Sequence, residues 1–335
     1  MTIALASIPR FEAVDALGVA AEQYGIEGTA VMLPSERDQN FKLTTRDGRH
    51  FVVKIANLEE DPSVLDFQHQ AIRHIGHSHA TCEVQKLIPT RDGKDLASIR
   101  RGGCSPRHHV RLFSWIEGDV LGHMRIRDAR LLESIGAQMA DLDLALASFS
   151  HPAMNRSLQW DVRLAGDARE HLGVLTAVGR KIVERSLVEW DAIDWSTLRH
   201  SVIHNDANDH NVIVRDGLMT GLLDFGDMVY TATVCDLAIA LAYTLQGESE
   251  PLVAAIPLMR GYQSRYPLTA AEEAVLFPLM RARLAMSVCY SAHNRARNPD
   301  DSYQTVSEKP AWALLERLKD VPSSVMLQTL RTARK

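Results

Sequence analysis

One stretch near the middle, residues 202–227, limits what this chain can fold into more than any other. It reads Val-Ile-His-Asn-Asp-Ala-Asn-Asp-His-Asn-Val-Ile-Val, a short turn, then Gly-Leu-Leu-Asp-Phe-Gly-Asp. Two short β-like runs, 211–214 and 220–223, flank the turn Arg215-Asp216-Gly217. Asp-Gly between apolar runs is a strong hairpin signal. The hairpin would gather three oxygen-bearing side chains: Asp206 before the first strand, Asn211 at its start, and Asp224 where the second strand ends. A carboxylate, an amide and a second carboxylate around one bend suit a hard divalent cation and a hydroxyl that must lose its proton. An ordinary polar hairpin is the plain alternative, and it leaves these spacings unexplained.

The pattern His204-x-Asp206-x-x-x-x-Asn211 followed by Asp224-Phe225-Gly226 resembles the catalytic and metal loops of kinases with the protein-kinase-like fold. The finer spelling, His-Asn-Asp-Ala-Asn-Asp-His-Asn and Leu-Leu-Asp-Phe-Gly-Asp-Met-Val, is similar to the aminoglycoside phosphotransferase and choline kinase superfamily, and within it to the hydroxylysine kinase-like members. Each motif alone is weak; together and in this order they are specific. The likeness extends over nearly the whole chain, including the tail segment Asn298-Pro-Asp-Asp-Ser-Tyr. It implies an α+β bilobal architecture: an N-terminal antiparallel sheet lobe, residues 1–118, and a larger, mostly helical lobe, residues 119–335, with the nucleotide in the cleft. It also implies roles. Asp206 takes the proton of the acceptor hydroxyl, while Asn211 and Asp224 hold Mg2+, which keeps several waters and needs few protein ligands. The protein then mainly positions groups and neutralises charge during phosphoryl transfer. His204 is expected to be a scaffold residue bonded to backbone near the metal loop.

Composition narrows the remaining classes. The 335 residues are 46% hydrophobic, enough for one large or two ordinary cored domains. A net charge of -5 offers no basic footprint for nucleic acid. No apolar run reaches the roughly 18 residues needed to cross a bilayer. The N-terminus lacks a basic n-region and is short for a signal peptide. Cys82, Cys104, Cys235 and Cys289 have no paired spacing, which fits a reducing compartment rather than a zinc site or a disulfide framework. The expectation is a cytoplasmic protein with no nucleic-acid or membrane partner.

Taken in order, Phe11, Val14, Leu17, Ala21 and Tyr24 recur at helical spacing, so a helix is expected over 10–24, closed by Gly25. Strands follow over 29–33, 41–45 and 49–55, with Asp47-Gly48 as a tight turn. The loop between the first two strands has no glycine. Ser35, Arg37, Gln39 and Asn40 could donate to phosphate oxygens there, and a solvated loop is the alternative. Lys54, in Phe-Val-Val-Lys-Ile, resembles the strand lysine of kinases. A lysine in such a run is costly without a partner, and an outward-pointing edge lysine is the competing reading. A helix is expected over 61–75, with Pro62 in its first turn. The family's glutamate partner for the lysine matches Asp66, with Glu59 and Glu60 as rivals. Further strands are expected over 83–87, 96–99 and 109–115. Leu112-Phe113-Ser114-Trp115-Ile116-Glu117-Gly118 takes the place of the family's hinge, so Phe113, Trp115 and Ile116 are candidate nucleotide contacts.

Beyond Gly118 helical spacing takes over. Asp128 can cap a helix through Leu146. Helices are also expected over 167–190, 234–245, 251–266, 270–297, 310–320 and 325–333. The helix 234–245 is nearly all apolar and so buried; Asp236 inside it needs partners and is read as a brace of the catalytic loop.

The resemblance implies a small hydroxylated amine or amino acid as acceptor, 5-hydroxylysine first, with GTP or ATP as donor. Asp209, Asp227 and Glu248 could meet its ammonium group. Arg281 or Arg283 could hold a carboxylate; a solvated helix face is the alternative for both. Tyr230 and Tyr290 are pocket or core residues. Homoserine, choline and aminoglycosides are rival acceptors. A nucleotide-binding pseudokinase is a second class, disfavoured because Lys54, Asp206, Asn211 and Asp224 are all present, although Asn205 and Asp66 depart from the usual glycine and glutamate. A metallohydrolase using His204, Asp206 and His210 is a third; such sites draw further ligands from other strands.

Overall fold

The β-branched runs of the first hundred residues become a meander in a computed structural model of the chain, which describes residues 9–35, 37–102, 105–297 and 308–333. The tail segment Asn298-Pro-Asp-Asp-Ser-Tyr, the N-terminal eight residues and Cys104 lie outside them. The chain divides into two compact units. One contains the chain up to Arg73 together with Val84–Ile116; the other contains His74–Glu83 and everything from Glu117 on.

In the first unit, β1 (Gly28–Leu33), β2 (Gln39–Thr45) and β3 (His50–Ile55) pair antiparallel in sequence order. Gly48 closes the β2–β3 turn at φ 82°, a conformation that suits glycine. β7 (His108–Ser114) adds beside β3, and β5 (Leu87–Ile88) and β6 (Ala97–Ile99) pair with β7. Alternation sends Phe41, Leu43, Val53 and Ile55 to one face, where they pack with Ala16 and Val19 of α1 (Ala13–Val19). Each such side chain contributes about 1.5–3 kcal/mol on burial. Asn40, Lys54 and Arg111 share the other face, directly opposite one another across β2, β3 and β7. α2 (Pro62–Gly76) follows β3.

Two expectations change here. The helix over 10–24 is α-helical only to Val19 and then widens into a π turn, Ala20–Tyr24, before Gly25 at φ 70°. The widening shows in the bond from Gly25 N–H to the Ala20 carbonyl, the segment closes with Ile26 N–H on the same carbonyl, and the Tyr24 hydroxyl donates to the Val110 carbonyl at 3.1 Å. The strand expected over 83–87 is two short pieces, β4 (Glu83–Val84) and β5.

The second unit is mostly helical: α3 (Ala129–Leu146), α4 (Ala177–Asp191), α5 (Val234–Thr244), α6 (Pro251–Arg265), α7 (Ala270–Arg297), α8 (Glu308–Leu318) and α9 (Ser323–Ala333). The helix expected over 167–190 breaks in two. A 3-10 segment, Val162–Val174, ends at Leu175, whose extended backbone lets Thr176 cap α4 by accepting the Gly179 N–H. α3 and α6 touch backbone to backbone: a Cβ on Gly136 would lie 1.8 Å from the Leu258 carbonyl oxygen, and one on Gly261 would lie 1.9 Å from that of Glu133. Every residue of α5 is buried, as its composition requires.

Two small antiparallel pairings set the functional loops in this frame. β9 (His200–Ile203) pairs with β12 (Val229–Ala232), so the chain leaving β9 runs beside the chain entering β12. β10 (Val212–Arg215) and β11 (Leu218–Leu222) form the expected hairpin, with β8 (Asp119–Val120) beside β10. Its turn residues Asp216 and Gly217 both have positive φ, 53° and 71°, the combination a two-residue hairpin turn favours.

Candidate active site

The site is built by backbone bonds first. Asp236 projects from the first turn of α5 and accepts the N–H groups of His204 at 3.1 Å and Asn205 at 2.7 Å. Both of those residues are fully buried, so the carboxylate satisfies donors that water cannot reach. This is the bracing role read from the sequence. Asn205 sits at φ 66°, a region that asparagine tolerates better than most residues and glycine best. The departure from the family's glycine is therefore conformationally coherent, and Asn205 Nδ2 reaches the Trp160 carbonyl at 3.4 Å.

His204 links the catalytic loop to the metal loop. Its Nε2 donates to the Leu223 carbonyl at 2.9 Å, and its Nδ1 accepts the Asp206 N–H at 3.2 Å. Only the neutral ring with the proton on Nε2 makes both bonds. Burial holds its pKa below the ordinary histidine value, although Asp236 pulls the other way. With both nitrogens engaged, His204 has no lone pair left for a metal, which removes the arrangement a metallohydrolase would need.

Asp206 lies at the centre. Its Oδ2 accepts from the amides of Asn208 at 2.9 Å and Asn211 at 2.8 Å; its Oδ1 accepts from Arg283 at 3.2 Å. Asn211 Nδ2 also donates to the Asp206 carbonyl at 2.9 Å, and two acceptors on that nitrogen turn the amide oxygen toward other ligands. Leu223 N–H bonds the Asn211 carbonyl at 2.8 Å, which draws the start of the metal loop against the hairpin. Asp224 itself has φ 59° and caps the 3-10 turn Phe225–Asp227 by accepting the Gly226 N–H at 3.1 Å. An amide oxygen just before β10 and a carboxylate just after β11 fit a hard cation that completes its shell with water and phosphate oxygens. Burial, then the charge of Asp227, pushes the Asp206 carboxyl up to about 8, against the opposing pull of Arg283.

The other expected site residues fall as follows. Asp227 is buried next to Asp206, close enough for its charge to act on it. Asp209 faces Arg127 at 3.7 Å. Arg281 and Arg283 are 4% and 1% exposed, so neither lies on a solvated helix face. The reason is that α7 is covered from Leu276 to Ala292, and an all-round buried helix can keep a cation only with partners. Arg281 lies 3.7 Å from Glu189, and Arg283 bonds the Trp160 carbonyl at 2.7 Å besides Asp206. In the first unit, Lys54 is half-buried 5.9 Å from the Phe113 ring and opposite Asn40, whose Oδ1 is buried with no hydrogen-bond partner among the described residues. Asp66 is exposed and accepts from Gln70 at 3.4 Å. Phe113 and Ile116 are buried, Trp115 carries Lys42 over its ring at 4.1 Å, and Arg37 lies in the β1–β2 loop.

Sequence reasoning passed over four contributors. Asn208 organises the loop, taking the N–H groups of His210 at 2.8 Å and Asn211 at 3.2 Å on its Oδ1. Trp160 supplies a carbonyl to Asn205 and Arg283. Asp143, fully buried on α3, accepts from Tyr262 at 2.6 Å; burial and then the charge of Asp236 push its carboxyl well above the usual range. Arg111, buried on β7, bonds Gln68 at 2.6 Å and Asp38 at 3.1 Å. The aspartate within the apolar stripe of α3 was the one visible signal, since a lone acid there needs a partner.

This fold and this arrangement of loops define a small-molecule kinase. The sequence matches the phosphotransferase enzyme family (APH) over residues 31–275, and the chain belongs to that family. Among curated relatives it is 28% identical to the hydroxylysine kinase of Mus musculus, over 93% of this chain and 90% of that one. It is 30% identical to the homoserine kinase of Gluconobacter oxydans, over 59% of this chain and 63% of that one. Among solved structures, an amicoumacin kinase in complex with AMP-PNP, Ca2+ and Ami superposes with a TM-score of 0.71 at 14% identity, over 93% of this chain and 95% of that one. The protein is thus a phosphotransferase with a hydroxyl acceptor. Among the described residues, no helix is long and apolar enough to cross a membrane.

Proposed function

We propose that the protein transfers the γ-phosphoryl group of GTP or ATP to the hydroxyl of a small amino acid or amino alcohol, with 5-hydroxylysine as the leading acceptor. The observation that carries this reading is the Asp206 carboxylate, fixed through both oxygens, beside an amide and a carboxylate suited to Mg2+. Asp206 takes the acceptor proton, its carboxylate held in place by Asn208, Asn211 and Arg283. Asn211 and Asp224 hold Mg2+, which when bound neutralises the charge building on the phosphoryl oxygens. Lys54, Asp66, Arg37, Asn40, Phe113, Trp115 and Ile116 are assigned to the nucleotide, and Asp209 and Asp227 to the acceptor's ammonium group. Likeness to hydroxylysine kinases along 93% of the chain supports the choice of acceptor. Homoserine is the second reading, supported by a relative that is 30% identical over a shorter span.

The test is a panel of hydroxy amino acids and amino alcohols offered with Mg2+ and either nucleotide. Nucleotide turnover tied to 5-hydroxylysine is expected, and Asp206→Asn should abolish it while nucleotide still binds. Turnover with homoserine alone selects the second reading. Full turnover by Asp206→Asn removes that residue from its role.

A further inference from the structure

The three donors on Asp206 do unequal things. The amides of Asn208 and Asn211 both go to Oδ2, and a carboxylate oxygen offers about two acceptor positions. Oδ2 is therefore full. Among the described residues Oδ1 takes one donor, Arg283, so the position left for an incoming proton is on Oδ1, and the guanidinium decides where that position points.

Arg283 is itself held from every side. It is 1% exposed, and its Nη1 donates to the Trp160 carbonyl at 2.7 Å. Its Nε donates to the Tyr243 hydroxyl at 3.3 Å, and that hydroxyl is 3.1 Å from Ser287 Oγ. The guanidinium carbon lies 4.7 Å from the Trp160 ring centre and 5.4 Å from that of Tyr243. A planar cation stacked on aromatic rings and bonded along three edges has almost no freedom. Its three anchors lie on α7, on α5 and at Trp160, so the guanidinium carries the rigidity of the helical frame onto one carboxylate oxygen.

We infer that Arg283 is a positioning residue for phosphoryl transfer: it sets the orientation of the Asp206 carboxylate so that Oδ1 faces the acceptor hydroxyl. The inference rests on Asp206 acting as the base. Because Arg283 acts through Asp206, its loss lowers kcat and leaves the KM values for nucleotide and acceptor unchanged. A residue that bound the acceptor's carboxylate would instead raise the acceptor KM.

The experiment compares wild type, Asp206→Asn, Arg283→Met, Arg283→Lys and Tyr243→Phe on the acceptor that the wild type uses, each with a melting curve. Arg283→Met should lower kcat about 100-fold, the scale of a misplaced reacting group, with both KM values within about twofold of wild type. Arg283→Lys, which keeps the charge and one donor, should recover part of that loss. Tyr243→Phe, which keeps the ring and frees Nε, should lower kcat severalfold. If Arg283→Met does not fold, the Lys and Phe variants decide: kcat equal to wild type in both overturns the inference. A raised acceptor KM with unchanged kcat in the Arg283 variants also overturns it. Failure of the proposed function looks different, as wild type without acceptor-dependent turnover, or Asp206→Asn with full activity.

Discussion

Replacing Asp236 by asparagine removes the brace of the catalytic loop with the smallest change of shape. The native carboxylate accepts the N–H groups of His204 at 3.1 Å and Asn205 at 2.7 Å, one on each oxygen. An amide has one oxygen, so one of the two N–H groups would face an NH2 group instead. That donor is fully buried and finds no water. A hydrogen bond contributes about 0.5–1.5 kcal/mol net, and an orphaned buried donor costs about 1–3 kcal/mol. We expect Asp236→Asn to cost about 3 kcal/mol of stability. At about 2–4 °C per kcal/mol for a chain segment of this size, the melting temperature should fall by about 6–12 °C. Circular dichroism at 222 nm, roughly the helix band, follows the helical unit, where the effect belongs. The variant's kcat should fall as well, because Asn205 and Asp206 are consecutive. Asp143→Asn is the companion variant: burial already pushes the Asp143 carboxyl up, and an amide oxygen can keep the bond from Tyr262, so the cost should stay within about 1 kcal/mol. If Asp236→Asn melts with wild type and keeps its kcat, the two N–H bonds do not brace the loop and the reasoning fails.

Other consequences are equally direct. Gly136→Ala or Gly261→Ala should cost about 3 kcal/mol each by chemical denaturation, because the added carbon meets backbone, which cannot rotate away as a side chain can. Asn205→Gly should be within about 1 kcal/mol of wild type, whereas Asn205→Ala, strained at φ 66°, should lose about 1–2 kcal/mol; equal melting temperatures for the two would show that the left-handed backbone is not the constraint. Burial alone would raise the pKa of Glu272, but bonds from Arg199 at 2.7 and 2.5 Å and from the Thr269 N–H at 2.8 Å outweigh it and hold the carboxyl below its ordinary 4.5. A depressed carboxylate stabilises the fold fully above that ordinary value and loses its contribution as pH falls through the lower, folded-state one. Wild type should therefore lose stability between pH 5 and more acid solution by more than Glu272→Gln does, read as urea midpoints across that range; parallel curves would refute the pairing.

The sequence by itself determined the meander, the hairpin and the placing of Asp206, Asn211 and Asp224 around it, because each rests on short-range rules. Asp-Gly selects its turn through positive φ, alternation selects a strand face, and the loop residues lie within a few positions of one another. Asp236 was legible too, since an acid inside an apolar helix has few explanations. Tertiary structure alone decided the rest. Arg283 lies 77 positions beyond Asp206, and nothing in its neighbours tells whether its side of α7 meets water or a carboxylate. The same holds for Asp143, its carboxyl pushed up only because the fold buries it near Asp236, and for Asn208, an unremarkable loop amide until its oxygen is seen on two N–H groups. Local sequence specifies backbone conformation; which charges share a buried volume depends on contacts between distant segments, and those form only when the helices pack.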